Sequence, residues 1–251
     1  MENKDNCIIS FYSFTDLTKL FDKIYNLEAF QKHIKNLCIQ ENVFGTIFVA
    51  NEGVNGSING KMENLEKILQ FITEKGVKNI NTKVNFSDKK AFSKIKVRVK
   101  NEIVALRVGD VDVNAMRGEY IYSDKWDEFI SGDDVVTIDT RNNYEVREGT
   151  FKNSIDPNTD TFRQFPEWID KNLELLKGKK IAMFCTGGIR CEKSTAYMKQ
   201  IGFNDVFHLY GGILQYLEDK KTTSTSWVGN CFVFDDRCAV KPDLTATYKL
   251  T

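Results

Sequence analysis

Residues 181–191 read IAMFCTGGIRC, an apolar run that leads through a glycine-rich turn into a helix-forming segment ending near Gly202. The apolar run predicts a buried strand, and the periodicity after the turn predicts a helix. A cysteine at such a strand-to-helix turn faces the first backbone amides of the helix, which favour a thiolate. Two glycines let the turn wrap closely around an anion, and Arg190 adds a fixed cation. The stretch therefore predicts that Cys185 is a reactive nucleophile beside an anion-binding loop.

Strands and helices alternate on both sides of this turn. Two apolar runs, at 135–138 and 206–209, predict further strands. Two helix starts are marked by Pro166 and by Gly211-Gly212. This alternation is typical of a small doubly wound α/β domain with a parallel sheet, which we assign to residues 121–221. Such sheets bind ligands beyond the carboxyl ends of their strands, and Cys185 lies at one of those ends.

The first part of the chain follows a different order. Predicted helices, one of them at 62–75, separate predicted strands at 7–12, 45–50, 57–60, 82–86 and 95–106. A βαββαβ order predicts a ferredoxin-like (acylphosphatase-like) α+β module, which we assign to residues 1–107. Residues 108–120 then form a bridging segment, and residues 222–251 form a short C-terminal tail expected to pack on the body.

The composition limits the class of protein. Lys and Arg number 35 against 35 Asp and Glu, so the net charge of the whole chain points to no particular partner. No apolar run reaches transmembrane length and the N-terminus lacks a signal-peptide pattern, so we expect a cytoplasmic protein without a membrane partner. The six cysteines form no CxxC pair, and we expect no metal site. No motif for an organic cofactor is present, and a monomer is our default oligomeric state.

Three motifs of the second unit resemble a rhodanese domain. They are an Asp139-x-Arg141 turn after a strand, the loop from Cys185 to Arg190, and the late Gly211-Gly212 turn. Four residues separate the loop cysteine from its arginine, the length typical of rhodanese sulfurtransferases, whereas related phosphatases have five. The loop therefore favours sulfur chemistry over phosphate chemistry.

The chain as a whole resembles the rhodanese-containing tRNA uridine hydroxylases. Its matching motifs are CTGGIRCEK from Cys185, GTI from Gly45, EGVNG from Glu52, and WxGxCFVFDxR from Trp227. The resemblance implies oxygen-dependent formation of 5-hydroxyuridine at the wobble position of tRNA, with molecular oxygen as co-substrate. It also implies that Cys185 is essential, by analogy as a persulfide carrier. Many members continue into a cysteine-rich tail that this sequence, ending at Thr251, does not contain, so we expect no metal role of that kind.

Several other residues are candidates for the site. Arg190 is expected to orient an anion, together with the remaining loop residues Thr186, Gly187, Gly188, Ile189 and Cys191. Asp139 is expected to be mainly structural and Arg141 to line the pocket. Glu52 and Asn55 belong either to a hairpin turn or, by the resemblance, to a substrate-facing loop.

Cys191 has two open interpretations. It either resolves an oxidised Cys185 as a disulfide or is a small core residue on the first helical turn.

A basic run precedes the second unit. Residues 78–100 hold eight Lys and Arg and a single acid, and the alternating Lys94, Lys96, Arg98 and Lys100 fall on one face of a predicted strand. Such a strip can neutralise phosphates without reading sequence. We therefore expect it to bind RNA, the anticodon stem-loop of tRNA being the partner that the resemblance implies.

Three functions remain open from the sequence. The first is wobble-uridine hydroxylation, in which the thiolate adds to the pyrimidine ring or acts through a sulfur-bound oxygen species. The second is a sulfurtransferase that carries a persulfide on Cys185. The third is a non-catalytic RNA-binding or redox-sensing protein.

Overall fold

The computed structural model describes residues 6–21, 24–220 and 225–250, in two compact units that divide between Ile103 and Val104. The first unit contains β1 (Cys7–Phe14), α1 (Leu27–Gln40), β2 (Phe44–Ala50), β3 (Gly53–Gly60), α2 (Met62–Glu74), β4 (Asn81–Phe86) and β5 (Ile95–Val99). The division falls four residues before the predicted end at residue 107, because Val104 and Leu106 pack into the core of the second unit.

The first unit is a five-stranded sheet in the order β4-β1-β3-β2-β5, with β5 parallel to β2 and the other pairs antiparallel. It has the predicted ferredoxin-like arrangement of four strands, and β5 is added beside β2 as a fifth strand. The predicted strand 95–106 was too long, since β5 ends at Val99. Its partner β2 ends at Ala50 and turns into β3, so no neighbouring strand remains to pair with later residues.

Side chains alternate across this sheet because successive strand residues point to opposite faces. One face packs against both helices through apolar residues that include Ile9, Phe11 and Ile47 from the strands and Ile34 and Ile68 from the helices. The opposite face carries the alternate residues, most of them polar, aromatic or basic.

The second unit begins with α3 (Val113–Met116), β6 (Glu119–Ile121), α4 (Ser123–Ile130), β7 (Val135–Asp139), α5 (Asn143–Val146), β8 (Gly149–Phe151), α6 (Phe165–Lys171) and α7 (Leu173–Leu176). It continues with β9 (Lys180–Phe184), α8 (Ile189–Gln200), β10 (Val206–Leu209), α9 (Gly212–Lys220), β11 (Trp227–Gly229), β12 (Cys231–Phe232) and β13 (Ala239–Val240). The main sheet has the order β6-β10-β9-β7 with every pair parallel.

Two apolar clusters give this unit its layers. One contains Trp126 and Leu217 from α4 and α9, and the other contains Ile169 and Met198 from α6 and α8. This is the predicted doubly wound arrangement. The described part of the tail packs on the same unit: β11 pairs with β8, and Trp227 and Cys231 lie in the first of these clusters. Within the described ranges, no helix combines the length and apolar character needed to cross a bilayer.

Candidate active site

Cys185 follows β9, an inner strand of the parallel sheet, and α8 begins four residues later at Ile189. The turn between them is made by Gly188, which precedes the helix with a left-handed φ of 94°. In that conformation its amide donates to Cys185 Sγ at 3.1 Å. The cysteine is 1% exposed. The glycine-rich turn therefore aims backbone donors at a buried sulfur, as predicted from the spacing.

The electrostatics of the loop favour a thiolate. Burial by itself raises the pKa of Cys185, but three groups act in the opposite direction: the Cys191 thiol that donates to its sulfur, the Arg190 charge, and the amides of these two residues. Together they lower the pKa of Cys185 from 9.0 to about 6. At neutral pH the sulfur is therefore negatively charged and nucleophilic.

Cys191 remains a thiol. Burial and the neighbouring Cys185 sulfur raise its pKa well above the ordinary value, while a contact of 3.5 Å with the Thr140 hydroxyl opposes this only in part. Its side chain is fully buried on the first turn of α8. It is a buried core residue by position and also donates a hydrogen bond to Cys185. Its role in resolving an oxidised Cys185 stays a prediction.

Arg190 makes its hydrogen bonds to a carboxylate that the sequence analysis did not single out. Its guanidinium forms a two-pronged pair with Glu145, at 2.6 Å and 2.7 Å to the two carboxylate oxygens. Glu145 is fully buried, and Arg190 is 7% exposed. The Thr186 hydroxyl also lies 3.4 Å from Glu145 Oε1. Arg190 thus places a positive charge near Cys185 while Glu145 fixes its orientation.

A local signal for Glu145 was present in the sequence. Glu145 makes the acidic half of a capping box at the start of α5, where its carboxylate accepts from the Asn142 amide at 3.1 Å. The spacing Asn-x-x-Glu predicts that cap, but not the second partner, because Arg190 lies far along the chain. Burial raises the pKa of Glu145, yet Arg190 and Arg141 hold it below its ordinary value.

Asp139 and Arg141 form an internal ion pair. The Arg141 guanidinium donates to Asp139 at 2.9 Å and 2.6 Å and to the Gly149 carbonyl at 2.5 Å. The Thr150 hydroxyl also donates to Asp139, at 2.8 Å. Both charged side chains are fully buried, so in this structure they connect the end of β7 to β8. Arg141, which we expected to line the pocket, has no exposed surface there.

Glu52 and Asn55 lie in the first unit, at the hairpin between β2 and β3. Glu52 accepts from the Ile103 amide at 2.7 Å, and Asn55 donates to the Ile103 carbonyl at 3.0 Å. The two side chains therefore hold the last residue of that unit. The role of Glu52 and Asn55 in a substrate-facing loop, which the resemblance implies, stays a prediction.

The four basic strip residues, Lys94, Lys96, Arg98 and Lys100, are all exposed. Lys96 and Arg98 lie on β5, at the edge of the sheet and on the face opposite the helices, with Lys94 and Lys100 at its two ends. Among the residues that the structure describes, no cluster of three or more His, Cys, Asp or Glu side chains could hold a metal ion.

The Gly211-Gly212 turn packs directly against the cysteine loop. The first amides of α9 donate to it, Ile213 to the Cys185 carbonyl at 3.0 Å and Leu214 to the Thr186 carbonyl at 3.1 Å. Gly212 has φ of +68°, and a Cβ there would lie 2.5 Å from the Cys185 carbonyl oxygen. The contact requires glycine at this position.

Two domain families match the chain in the order that the fold shows. Residues 6–103 match the UPF0176 acylphosphatase-like domain, and residues 124–219 match the rhodanese-like domain. These matches confirm both predicted fold types.

Full-length relatives carry one shared name. A protein of Rickettsia rickettsii strain Sheila Smith, named tRNA uridine(34) hydroxylase, is 52% identical over 97% of this chain and 96% of its own. Proteins of the same name are 50% identical in Rickettsia canadensis, over 99% of this chain and 98% of theirs, and in Rickettsia prowazekii, over 96% of each. The resemblance noted in the sequence is confirmed at this level of identity. The chain belongs to the tRNA uridine(34) hydroxylase family.

Proposed function

We propose that this protein hydroxylates uridine 34 of tRNA at C5, with molecular oxygen as co-substrate and the Cys185 thiolate as the reacting group. The observation that carries the proposal is the buried sulfur of Cys185, whose pKa is lowered to about 6 by directed donors. It occurs in a chain that is 52% identical to a tRNA uridine(34) hydroxylase over nearly its full length. Cytoplasmic location and the anticodon stem-loop as the recognised part of tRNA belong to the same proposal.

A thiolate can activate the pyrimidine ring by addition at C6. The new S–C6 bond places the electron pair of the C5–C6 double bond on C5, which becomes nucleophilic toward oxygen. Loss of the C5 proton and cleavage of the S–C6 bond then restore the ring and free Cys185. A sulfur-bound oxygen species that attacks C5 is the second route open to the same residue.

Either route leaves one oxygen atom to be reduced. Hydroxylation places one atom of molecular oxygen on C5, and the other becomes water by taking up two electrons and two protons. The Cys185 thiolate and the Cys191 thiol, which are hydrogen-bonded to each other, would supply the two electrons by forming a disulfide, with one proton coming from Cys191 and the other from solvent. An external thiol then reduces that disulfide by exchange, so one disulfide of the external thiol is formed per turnover.

The proposal is tested with tRNA from a strain that lacks the protein. Complementation with the wild type, Cys185→Ser and Cys238→Ser is followed by mass spectrometry of the tRNA nucleosides. We expect wobble nucleosides derived from 5-hydroxyuridine to return with the wild type and with Cys238→Ser, a half-buried cysteine of the tail, but not with Cys185→Ser. Full modification by Cys185→Ser would overturn the proposed nucleophile. Loss of 2-thiouridine instead would identify a sulfurtransferase.

Isotope labelling tests the oxygen source. Purified protein, tRNA and an external thiol are incubated under isotopically heavy oxygen gas or in isotopically heavy water. We expect the label from the gas in the product nucleoside. Label from water alone would exclude molecular oxygen as the donor.

A further inference from the structure

The outer face of the first unit's sheet, opposite α1 and α2, carries two rows of side chains that run across all five strands. We call this surface the open sheet face. The strand register defines the first row: Lys96, Thr46, Ser57, Ser10 and Lys83 are successive neighbours on β5, β2, β3, β1 and β4. Hydroxyl groups fill its centre, where Ser10 and Ser57 hydrogen-bond at 3.0 Å, and a lysine stands at each edge.

The second row lies next to the first and has a different chemistry. In the same strand order it contains Arg98, Phe48, Asn55, Tyr12 and Asn81. Two half-buried aromatic rings alternate with amides, and arginine lies at the edge. The Asn55 amide, between the rings, donates to the Ile103 carbonyl at 3.0 Å, which leaves Asn81 as the amide at the other edge. The Lys100 ammonium lies 5.7 Å from the centre of the Phe48 ring, so a cation already adjoins an aromatic surface here. The ten side chains of the two rows include no carboxylate.

This combination differs from that of a simple phosphate-binding strip. Basic groups alone neutralise phosphates of any nucleic acid. Aromatic rings on a sheet surface stack with bases only where the bases are not already stacked in a duplex. Hydroxyl and amide groups add hydrogen bonds to base edges and to ribose hydroxyls.

The spacing of the rings favours separated bases. Phe48 and Tyr12 lie on strands two positions apart in the sheet, which corresponds to about 10 Å. Neighbouring stacked bases in one strand of a regular helix are only about 3.4 Å apart. Two bases that occupy both rings must therefore be spread apart, as in a loop.

We propose that the open sheet face binds the single-stranded loop of the tRNA anticodon arm, with bases stacked on Phe48 and Tyr12 and phosphates held by Lys96, Arg98 and Lys83. The inference rests on the proposed function for the identity of the RNA. It goes beyond the basic strip, because it assigns base-stacking residues and a preference for single-stranded over duplex RNA.

The test measures binding of the full-length protein to an anticodon stem-loop RNA and to a duplex RNA of equal length, by fluorescence anisotropy at several salt concentrations. The double variant Phe48→Leu with Tyr12→Leu removes the rings but keeps apolar side chains. We expect its affinity for the stem-loop to fall by about tenfold or more, with little change in duplex binding and in salt dependence. Phe86→Leu, an exposed ring of the same sheet on the other face, is the matched control.

The double variant Lys96→Gln with Arg98→Gln tests the phosphate contacts. We expect the slope of log affinity against log salt to become shallower by about 1 to 2. Lys32→Gln with Lys35→Gln, two exposed lysines of α1 on the helix side, should leave it unchanged. Unchanged stem-loop affinity in the aromatic double variant, or an equal loss for duplex RNA, would overturn the proposal.

Crosslinking gives a second measurement that requires no variant to fold. Stem-loop RNA with a photoreactive uridine in its loop should crosslink to peptides from β1 and β2, and crosslinks elsewhere would contradict the assignment. The failure of this inference is distinguishable from that of the hydroxylase proposal. If the wild-type protein binds the stem-loop but does not hydroxylate it, the RNA-binding proposal stands and the hydroxylase proposal fails. If the aromatic double variant hydroxylates tRNA with wild-type kinetics, the hydroxylase proposal stands and the RNA-binding proposal fails.

Discussion

Buried cysteines in this chain differ in acidity according to what donates to their sulfur. Burial raises the pKa of Cys38 and of Cys231 to about 12 in each case. Cys185 is also fully buried, yet its pKa is about 6, because a thiol, backbone amides and a nearby guanidinium stabilise the negative charge. The reactivity of this residue therefore depends on hydrogen-bond donors and a neighbouring charge, and burial alone would suppress it.

Removal of one donor should shift this acidity. Cys191→Ala deletes the thiol that donates to Cys185, so we expect the Cys185 pKa to rise above about 6. The measurement is a pH titration of thiolate absorbance in the ultraviolet, taken as the difference between each protein and its Cys185→Ser counterpart. Cys238→Ala serves as the control. An unchanged midpoint in Cys191→Ala would show that the thiol contact contributes nothing.

The same shift predicts a pH dependence of stability. Because the pKa of Cys185 is lower in the folded protein than its ordinary value of 9.0, its thiolate contributes stability that is fully present above that value. The contribution is lost as pH falls toward about 6. Urea denaturation of the wild type and of Cys185→Ser at several pH values should therefore show a difference that narrows as pH falls. A constant difference would contradict this linkage.

Glu145 is the other residue on which the loop depends. Glu145→Gln keeps the size of the side chain but leaves the Arg190 charge buried without its carboxylate partner. We expect the free energy of unfolding to fall by about 3 kcal/mol or more. Glu167→Gln removes one partner of an exposed ion pair with Lys171 and should cost less than about 1 kcal/mol. Urea denaturation measures both, and similar small losses would contradict the role of Glu145.

Among the elements, α9 shapes the cysteine loop through its first turn. Gly212→Ala places a Cβ against backbone atoms of Cys185 and Gly188 that cannot move without displacing the loop. Gly178→Ala is a matched control, since Gly178 has a similar φ of +70° and no atom within 4 Å of the added Cβ. In both variants an alanine in the left-handed conformation lowers the free energy of unfolding by about 1 to 2 kcal/mol.

Only Gly212→Ala adds the steric conflict. We therefore expect its hydroxylation rate to fall by about tenfold or more while Gly178→Ala retains activity. Single-turnover assays on tRNA with both proteins measure the difference. Equal activity would show that the loop tolerates displacement.

Local sequence predicted those elements whose causes are local. The strand, glycine turn and helix around Cys185 follow from neighbouring residues. The Asp139–Arg141 pair is equally local, because the arginine reaches an aspartate two positions away, but the sequence analysis expected Arg141 to line the pocket. The end of β5 could not be predicted, because it depends on where β2 stops. The alternation of apolar and basic residues ends at Lys100, and the apolar residues from Ile103 to Leu106 extended the predicted strand beyond it.

The sequence analysis also did not predict the contacts between residues that lie far apart in the chain. Glu145 and Arg190 are 45 residues apart, and neither position alone indicates the other. The hydrogen bond from the Cys191 thiol to Cys185 depends on the turn of the loop and on the start of α8 together. The basic strip was recognised by its alternation, but the aromatic row beside it comes from strands that only the folded sheet brings together.

At the scale of the molecule, a neutral chain divides into two units of opposite charge. The first unit has 16 Lys and Arg against 12 Asp and Glu, and the second has 19 against 23. Whole-chain charge therefore conceals a basic unit that suits RNA and an acidic unit that contains the reactive cysteine.

If the basic unit binds tRNA and the acidic unit carries out the reaction, substitutions in the basic unit should change KM and not kcat. Lys94→Gln with Lys100→Gln should raise KM for tRNA by about tenfold and leave kcat within about twofold, because the change weakens phosphate contacts made equally before and during the reaction. Lys152→Gln with Lys177→Gln, two exposed lysines of the second unit, is the control. Steady-state kinetics distinguish the two. A fall in kcat with constant KM would place these lysines in the chemical step instead.

The hydrogen bonds from α9 to the Cys185 and Thr186 carbonyls also fix the direction of the two amides that follow these carbonyls. In a planar trans peptide the N–H points opposite to its carbonyl, so the amides of Thr186 and Gly187 point away from α9. Their partial positive charge therefore lies on the side of the loop that faces away from α9. In the proposed reaction, the Thr186 and Gly187 amides would be donors for an anion on that side of the loop, in addition to the Gly188, Arg190 and Cys191 amides that stabilise the Cys185 thiolate.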